Sequence, residues 1–257
     1  MANWTTFPYL GDYIFDAASV KNNWARLHAG DAEPLPQDAK VLEAWALFHS
    51  GEFQRALDMG LKIGGDGLTV ANKSACIYAN YLEKQERARL DLYMEVVRRA
   101  EAQAKRDPLN VNAHYWQAYA LGRYSQGISV AKALAQGLSG KVKNSLENVI
   151  KLQPNHADAH IALGAFHADV IDKVGSLIGG MTYGAKKDTG LSLLQAALKL
   201  NFCSAIGMIE YANAMVMLDG EKMMSAATRL YQQAAAAKPM DAMERLDVEM
   251  AKAELED

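Results

Sequence analysis

The sequence predicts an all-α protein, an α-α superhelix of stacked helix hairpins in which two hairpins are extended. Three observations carry this. Ala and Leu abound, β-branched runs are scarce and Pro occurs only 6 times in 257 residues, a balance that favours helices because Ala and Leu lose least on entering one. Apolar residues recur at i, i+3, i+4 and i+7 in one segment after another. A turn resembling Lys-Leu-x-Pro, followed by Ala, returns along the chain as internal repeats do.

Taken in order, residues 1–36 read as an N-terminal capping segment, 37–241 as a repeat array of about five helix pairs, and 242–257 as a C-terminal capping helix. The first pair is "VLEAWALFHSGEFQRALDMGLKI", with Ala44 at the small site, Gly51 in the turn and Ala56 opening the second helix. Residues 71–106 give the next, "ANKSACIYANYL" and "LDLYMEVVRRAEAQAKR". The remaining units are punctuated by Pro108, Pro154, Phe202 and Pro239, spaced by 46, 48 and 37 residues. Proline suits this place because it ends one helix and the next restarts a few residues on. Around Pro154, Leu146, Val149, Ile150 and Leu152 form one stripe, and His160, Leu163, Gly164 and His167 form the next. Small residues (Ala118, Gly164, Ala212) fall where paired helices approach most closely.

These are the positions of the tetratricopeptide repeat (TPR), and over about residues 37–240 the chain resembles that family. It departs from the regular repeat by two insertions, "YSQGISVAKALAQGLSGKV" and "ADVIDKVGSLIGGMTYGAKKD", about 12 and 14 residues beyond the motif. Offset by 48 residues, Gly127 matches Gly175 and Ala131 matches Gly179, so both insertions are expected to be close-packed helix extensions. With Tyr115-Trp116, "GISVAKALAQGLSGKVKNSLENVIKLQP" and "GLSLLQAALKL", they make the chain similar to TPR-like proteins of the regulator of microtubule dynamics family. The helical subunit associated with TRAP transporters is similar too. That resemblance implies a bacterial adaptor or binding subunit.

A superhelix of this kind lines its inner wall with the first helix of each pair. The expected partner-binding residues are therefore Asn112, Tyr115, Tyr119 and Arg123, with Lys132 from the first insertion, and Asp158, Ile161 and Asp169 one unit on. Tyr beside Arg and Asn joins rigid apolar area to hydrogen-bond donors, as binding surfaces do; packing of the same aromatics against the extended hairpins is the competing reading. No acidic residue occurs between Asp107 and Glu147, whereas Arg123, Lys132, Lys141 and Lys143 do. This local charge suits an anionic ligand, acidic peptide or phosphate-bearing partner; a solvated helix face is the blander reading and the weightier one.

Other signals are weaker. The net charge of −3 offers no field for nucleic acid. No apolar stretch approaches the roughly 18 residues a membrane span needs. His156, His160 and His167 share helical spacing, but their register makes them core or turn residues and no metal is expected. Cys76 and Cys203 read as separate buried thiols. "GGDG" at 64–67 lacks the Lys-Ser/Thr of a phosphate loop, and no catalytic constellation or cofactor motif stands out. The Met-rich C-terminal third reads as core filling. The expected function is a scaffold binding a protein or peptide in its groove; the alternative is a carrier enclosing a small or hydrophobic ligand beneath the extended hairpins. With no cationic-apolar leader, the chain reads as cytoplasmic, or periplasmic if a signal has been removed.

Overall fold

The computed structural model describes residues 4–256; Met1 to Asn3 of the expected capping segment and Asp257 lie outside it, as do the side chains of Val130, Ala131 and Leu134. Among the described residues there are thirteen α-helices, one 3₁₀ turn and no strand. They fall into two compact units.

The first unit holds the described residues up to His28, together with Glu33–Leu152 and Met240–Met243. Its helices are α1 (Ala17–Leu27), α2 (Ala39–His49), α3 (Phe53–Ile63), α4 (Gly67–Tyr81), α5 (Glu86–Arg106), α6 (Val111–Gln126), α7 (Val130–Ala135) and α8 (Leu138–Leu152). From α2 onward each helix packs on the next, except that α6 passes over the short α7 to pack on α8. The first helices of successive pairs also touch, α2 with α4 and α4 with α6. This is the chain-order stacking expected of repeats, in which each pair shelters the apolar stripe of its neighbour. Ala44 and Ala118 are buried at the small sites. At the α3–α4 crossing a Cβ on Gly60 would stand 2.4 Å from the Gly67 carbonyl oxygen, so the two backbones meet there directly.

Aromatic rings fill the N-terminal end of this unit. Trp45, Phe48 and Phe53 interlock edge to face, and the buried Lys73 ammonium lies 5.2 Å from the Phe48 ring and 5.6 Å from that of Trp45. His28 stacks on Trp24 at 3.9 Å. His49 is wholly buried, with Nδ1 2.6 Å from the Asp241 carboxylate and Nε2 3.4 Å from His28 Nε2. An ionised Asp241 requires the His49 Nδ1–H to donate, so residues 240–243 are tied to α2 through a buried polar chain.

The second unit holds Ala29–Ala32, Gln153–Pro239 and the chain from Glu244 on. Its helices are α9 (Ala157–Tyr183), α10 (Lys187–Leu200), α11 (Ala205–Asp219), α12 (Met224–Ala235) and the body of α13 (Ala242–Ala253). Here α9 packs on α10 and α11, and α11 on α12. Gly164 and Gly190 repeat the close crossing: a Cβ on Gly164 would lie 2.6 Å from Leu194 Cγ and 3.0 Å from the Gly190 carbonyl oxygen. Ile161, Ala168, Leu194, Ala197 and Ala214 make one core cluster; Ala205, Ile209, Ala234, Val248 and Ala251 make another, against which Met208 and Met250 pack. The methionines are thus core in part, while Met217 and Met224 are exposed.

The turns obey a rule finer than the prolines alone. Two residues after Pro36, Pro108, Pro154 and Phe202 stand Asp38, Asn110, His156 and Ser204, and each caps the helix that follows with a side-chain acceptor. The bonds run from Lys40 N to Asp38, Ala113 N to Asn110, Ala159 N to His156 Nδ1 and Gly207 N to Ser204, satisfying N–H groups that the helix itself leaves open. Asp241 holds the same place after Pro239.

The insertions are not equivalent. The first ends α6 at Gly127 and makes the separate helix α7, with Gly137 at φ 61 before α8. A Cβ on Gly127 would lie 2.6 Å from Leu90 Cδ2, so close packing does apply there. The second prolongs α9, and its Gly175 adopts φ 79 and ψ 159 inside the helix. Nothing lies within 4 Å of a Cβ at that position, so Gly175 is required by backbone conformation and not by a close neighbour. Gly179 is the close-packed member, its Cβ position 3.3 Å from Val170 Cγ1.

Candidate functional site

Helix α6 positions the residues on which a binding surface in the first unit was expected. Asn110 caps it, and Ala113, Trp116 and Ala120 face inward. Asn112 and Tyr115 were expected to line an open wall, but they are buried, at 2% and 4% exposure. For Asn112 the reason lies in the chain before α2. The Asn112 amide donates to the Glu33 carboxylate, whose main-chain carbonyl also accepts the Trp24 indole N–H at 2.8 Å. Tyr115 is held against Trp116, with ring centroids 4.9 Å apart.

Further along α6 the side chains come to the surface. Tyr119 is half-buried on Trp116, and the Arg123 guanidinium lies 5.4 Å above its ring. Arg123 also donates to Gln126 at 3.4 Å. Lys132 is exposed, its ammonium 6.0 Å from the Tyr124 ring. Beneath them lies Tyr93 of α5, whose hydroxyl is pushed well above the ordinary phenol range by burial first and by Tyr119 second, so it stays protonated. Of the other two cations, Lys141 is exposed and Lys143 pairs with Glu147 at 2.9 Å. The result is two cation–aromatic pairs along α6 and α7, Arg123 with Tyr119 and Lys132 with Tyr124, together the platform of this surface.

The residues expected in the second unit behave differently. Ile161 is 6% exposed and belongs to a core cluster, which overturns its placement on an open wall. Gly207 leaves room for the Ile161 side chain, which would be 3.2 Å from a Cβ there. Asp158 donates its N–H to the Gly30 carbonyl at 3.0 Å, and its carboxylate occupies the space a Cβ on Gly30 would need. Asp169 pairs with Lys173 at 3.6 Å. An open depression of about 440 Å³ lies between α9 and α10, lined by His160, Asp188, Thr189, Ser192, Leu193 and Ala196.

The histidines serve the backbone. His156 caps α9, His160 Nδ1 meets the His156 carbonyl at 3.0 Å, and His167 Nδ1 accepts the Lys186 N–H at 3.1 Å. Among the described residues no group of three His, Cys, Asp or Glu is placed to hold a metal. Cys76 and Cys203 are free thiols, and burial pushes the Cys76 thiol up, which leaves it unreactive. No helix among the described residues is long and apolar enough to cross a membrane.

Helix pairs packed in chain order, small residues at the crossings and capped turns at repeat spacing define a TPR-like helical-repeat protein. The family described as regulator of microtubule dynamics protein 1-3 matches residues 51–173, just under half of the chain. A thermophilic TPR protein of Thermus thermophilus has a similar crystal structure, with a TM-score of 0.58 and 15% sequence identity over 83% of this chain and 97% of that one. At that identity the likeness is one of fold. No curated protein sequence matches the chain.

Proposed function

We propose that this chain is a non-catalytic TPR-like scaffold that binds an acidic segment of a protein or peptide partner on α6 and α7 of its first unit. The observation that carries the reading is the platform of Tyr119, Arg123, Tyr124 and Lys132, set in a stretch free of Asp and Glu from residue 108 to 146. The Tyr119 ring beside the Arg123 guanidinium limits the rotamers of that side chain, and a restricted guanidinium receives a carboxylate at less entropic cost than an unrestricted one. Tyr and Arg are also the residue types that dominate binding energy at interfaces. Asn112 and Tyr115 enter this reading as support beneath the surface, whereas Ile161 belongs to the core of the second unit. Asp158 and Asp169, each engaged within its own unit, are not part of the platform. The carrier alternative calls for an enclosed, mostly apolar cavity; the depression between α9 and α10 is open and carries His160, Asp188, Thr189 and Ser192.

The test is affinity capture from the source organism with the wild-type chain and with Arg123→Glu/Lys132→Glu, read by quantitative mass spectrometry. The reading expects acidic partners retained by the wild type and lost by the double variant. Equal retention by both removes the platform from the account.

A further inference from the structure

The tip of the α9–α10 hairpin shows an arrangement that neither folding nor the platform on α6 uses. Beyond the break at Gly175, the last turns of α9 run to Tyr183, and Gly184, in the left-handed conformation, turns the chain towards α10. On this short segment the small residue is inside and the large apolar residues are outside. Gly179 is buried against Val170 and Ala185, whereas Leu177, Ile178 and Met181 are 74%, 55% and 82% exposed. Positions 177, 178 and 181 are spaced i, i+1 and i+4, so the three side chains share one face. A soluble helix puts such residues against its core; exposing three together leaves apolar surface in water without return.

The charges around the tip form layers. From Val174 to Ala185 there is no Asp, Glu, Lys or Arg, and the first charge met on either side is a lysine, Lys173 before and Lys186 after, with Lys187 next. Lys173 and Lys186 are both exposed. Lys173 and Lys187 are backed by Asp169 and Asp219, which lie on helix positions further from the tip. Along the chain in either direction from the tip, one meets apolar residues, then lysines, then carboxylates, Asp172 and Asp169 on one side and Asp188 on the other. This order complements a bilayer surface, where acyl chains lie beneath anionic phosphates and long lysine side chains reach from one layer to the other.

We propose that this tip is a membrane-surface element: Leu177, Ile178 and Met181 enter the headgroup–acyl boundary of an anionic bilayer while Lys173 and Lys186 meet lipid phosphates. The element is a shallow anchor and spans nothing. Three side chains with two or three cations give weak, reversible binding that falls as salt screens the charges. The inference stands on the second unit alone and is independent of the acidic-partner reading.

The full chain is tested by flotation with phosphatidylcholine vesicles, with and without phosphatidylglycerol. The wild type is expected to float with the anionic vesicles and much less with the neutral ones. Leu177→Asp/Met181→Asp is expected to lose binding about tenfold or more, with an unchanged circular dichroism spectrum. Leu177→Ser/Met181→Ser serves the same purpose should the first pair fail to fold. Failure of the wild type to float with anionic vesicles overturns the proposal, as does equal flotation of the folded variants. A wild-type dimer in sedimentation that the variants abolish, with no flotation, overturns it too and assigns the face to a second copy of the chain.

Discussion

Replacing Gly60 by Ala probes the closest approach in the helix stack. The added Cβ would stand 2.4 Å from the Gly67 carbonyl oxygen, 2.7 Å from Val70 Cγ1 and 3.1 Å from Ala71 Cβ. The first of these is backbone, and Val70 and Ala71 are wholly buried, so no flexible side chain can swing aside. In an isolated helix Ala is about 1 kcal/mol better than Gly. Overpacking a tight contact costs about 1–3 kcal/mol, which offsets that gain and leaves a net loss of up to about 2 kcal/mol. Gly122→Ala in α6 of the same unit is the control: its Cβ would meet only Val142 Cγ1, at 3.9 Å, an ordinary contact. There the helix gain of about 1 kcal/mol stands unopposed. At about 2–4 °C per kcal/mol for a chain of this size, Gly60→Ala should lower Tm by up to roughly 8 °C, and Gly122→Ala should raise it by a few degrees. Thermal unfolding followed by far-UV circular dichroism reads both. Two variants that shift together, or a Gly60→Ala protein more stable than the wild type, would refute the close crossing.

Two further outcomes are expected. Asp241→Ala leaves the wholly buried His49 without its carboxylate and should cost about 3–5 kcal/mol, seen as a lower denaturant midpoint, with Asp241→Asn losing less because it keeps an acceptor. The Asp219 carboxyl is held below its ordinary value by hydrogen bonds from Lys187 first and Lys222 second, so its contribution to stability is present above the usual carboxylate range and disappears as pH falls through the lower folded value; an NMR titration of its side-chain carbon should show that depressed midpoint, and Lys187→Ala should raise it.

Much of the fold was legible because its signals are local. Proline does not continue a helix, and the spacings of 46 and 48 residues from Pro108 to Pro154 to Phe202 mark the helix pairs locally. The caps at Asp38, Asn110, His156 and Ser204 carry a local signal too, a polar residue two places past the turn, but reading the turns by their prolines passes over all four, and histidine is an uncommon cap. The two insertions looked alike because a glycine letter does not tell close packing from a positive φ. Gly127 meets Leu90, whereas Gly175 meets nothing and bends the chain. Helical spacing and the missing acids single out Tyr119, Arg123 and Lys132, and the structure leaves Tyr119 half-buried and Lys132 exposed.

What the sequence hid at the site is long-range. Asn112 and Tyr115 have the right register for an exposed face, but Glu33, 79 residues earlier, supplies the acceptor that takes up the Asn112 amide. Ile161 is covered by helices that follow it in the chain. Helical periodicity distinguishes faces of one helix and carries no information about what a distant segment lays upon them. Tyr124, which completes the platform by backing Lys132, had no signal beyond its place near the end of α6.

The proposed docking of a partner falls on α6 and α7. Hydrogen–deuterium exchange of the chain, alone and with a partner retained by the wild type, tests it most directly. The account predicts slowed exchange across residues 111–143, absent when Arg123→Glu/Lys132→Glu is mixed with the same partner. Protection confined to α10, α11 and α12, with residues 111–143 unchanged, would contradict it.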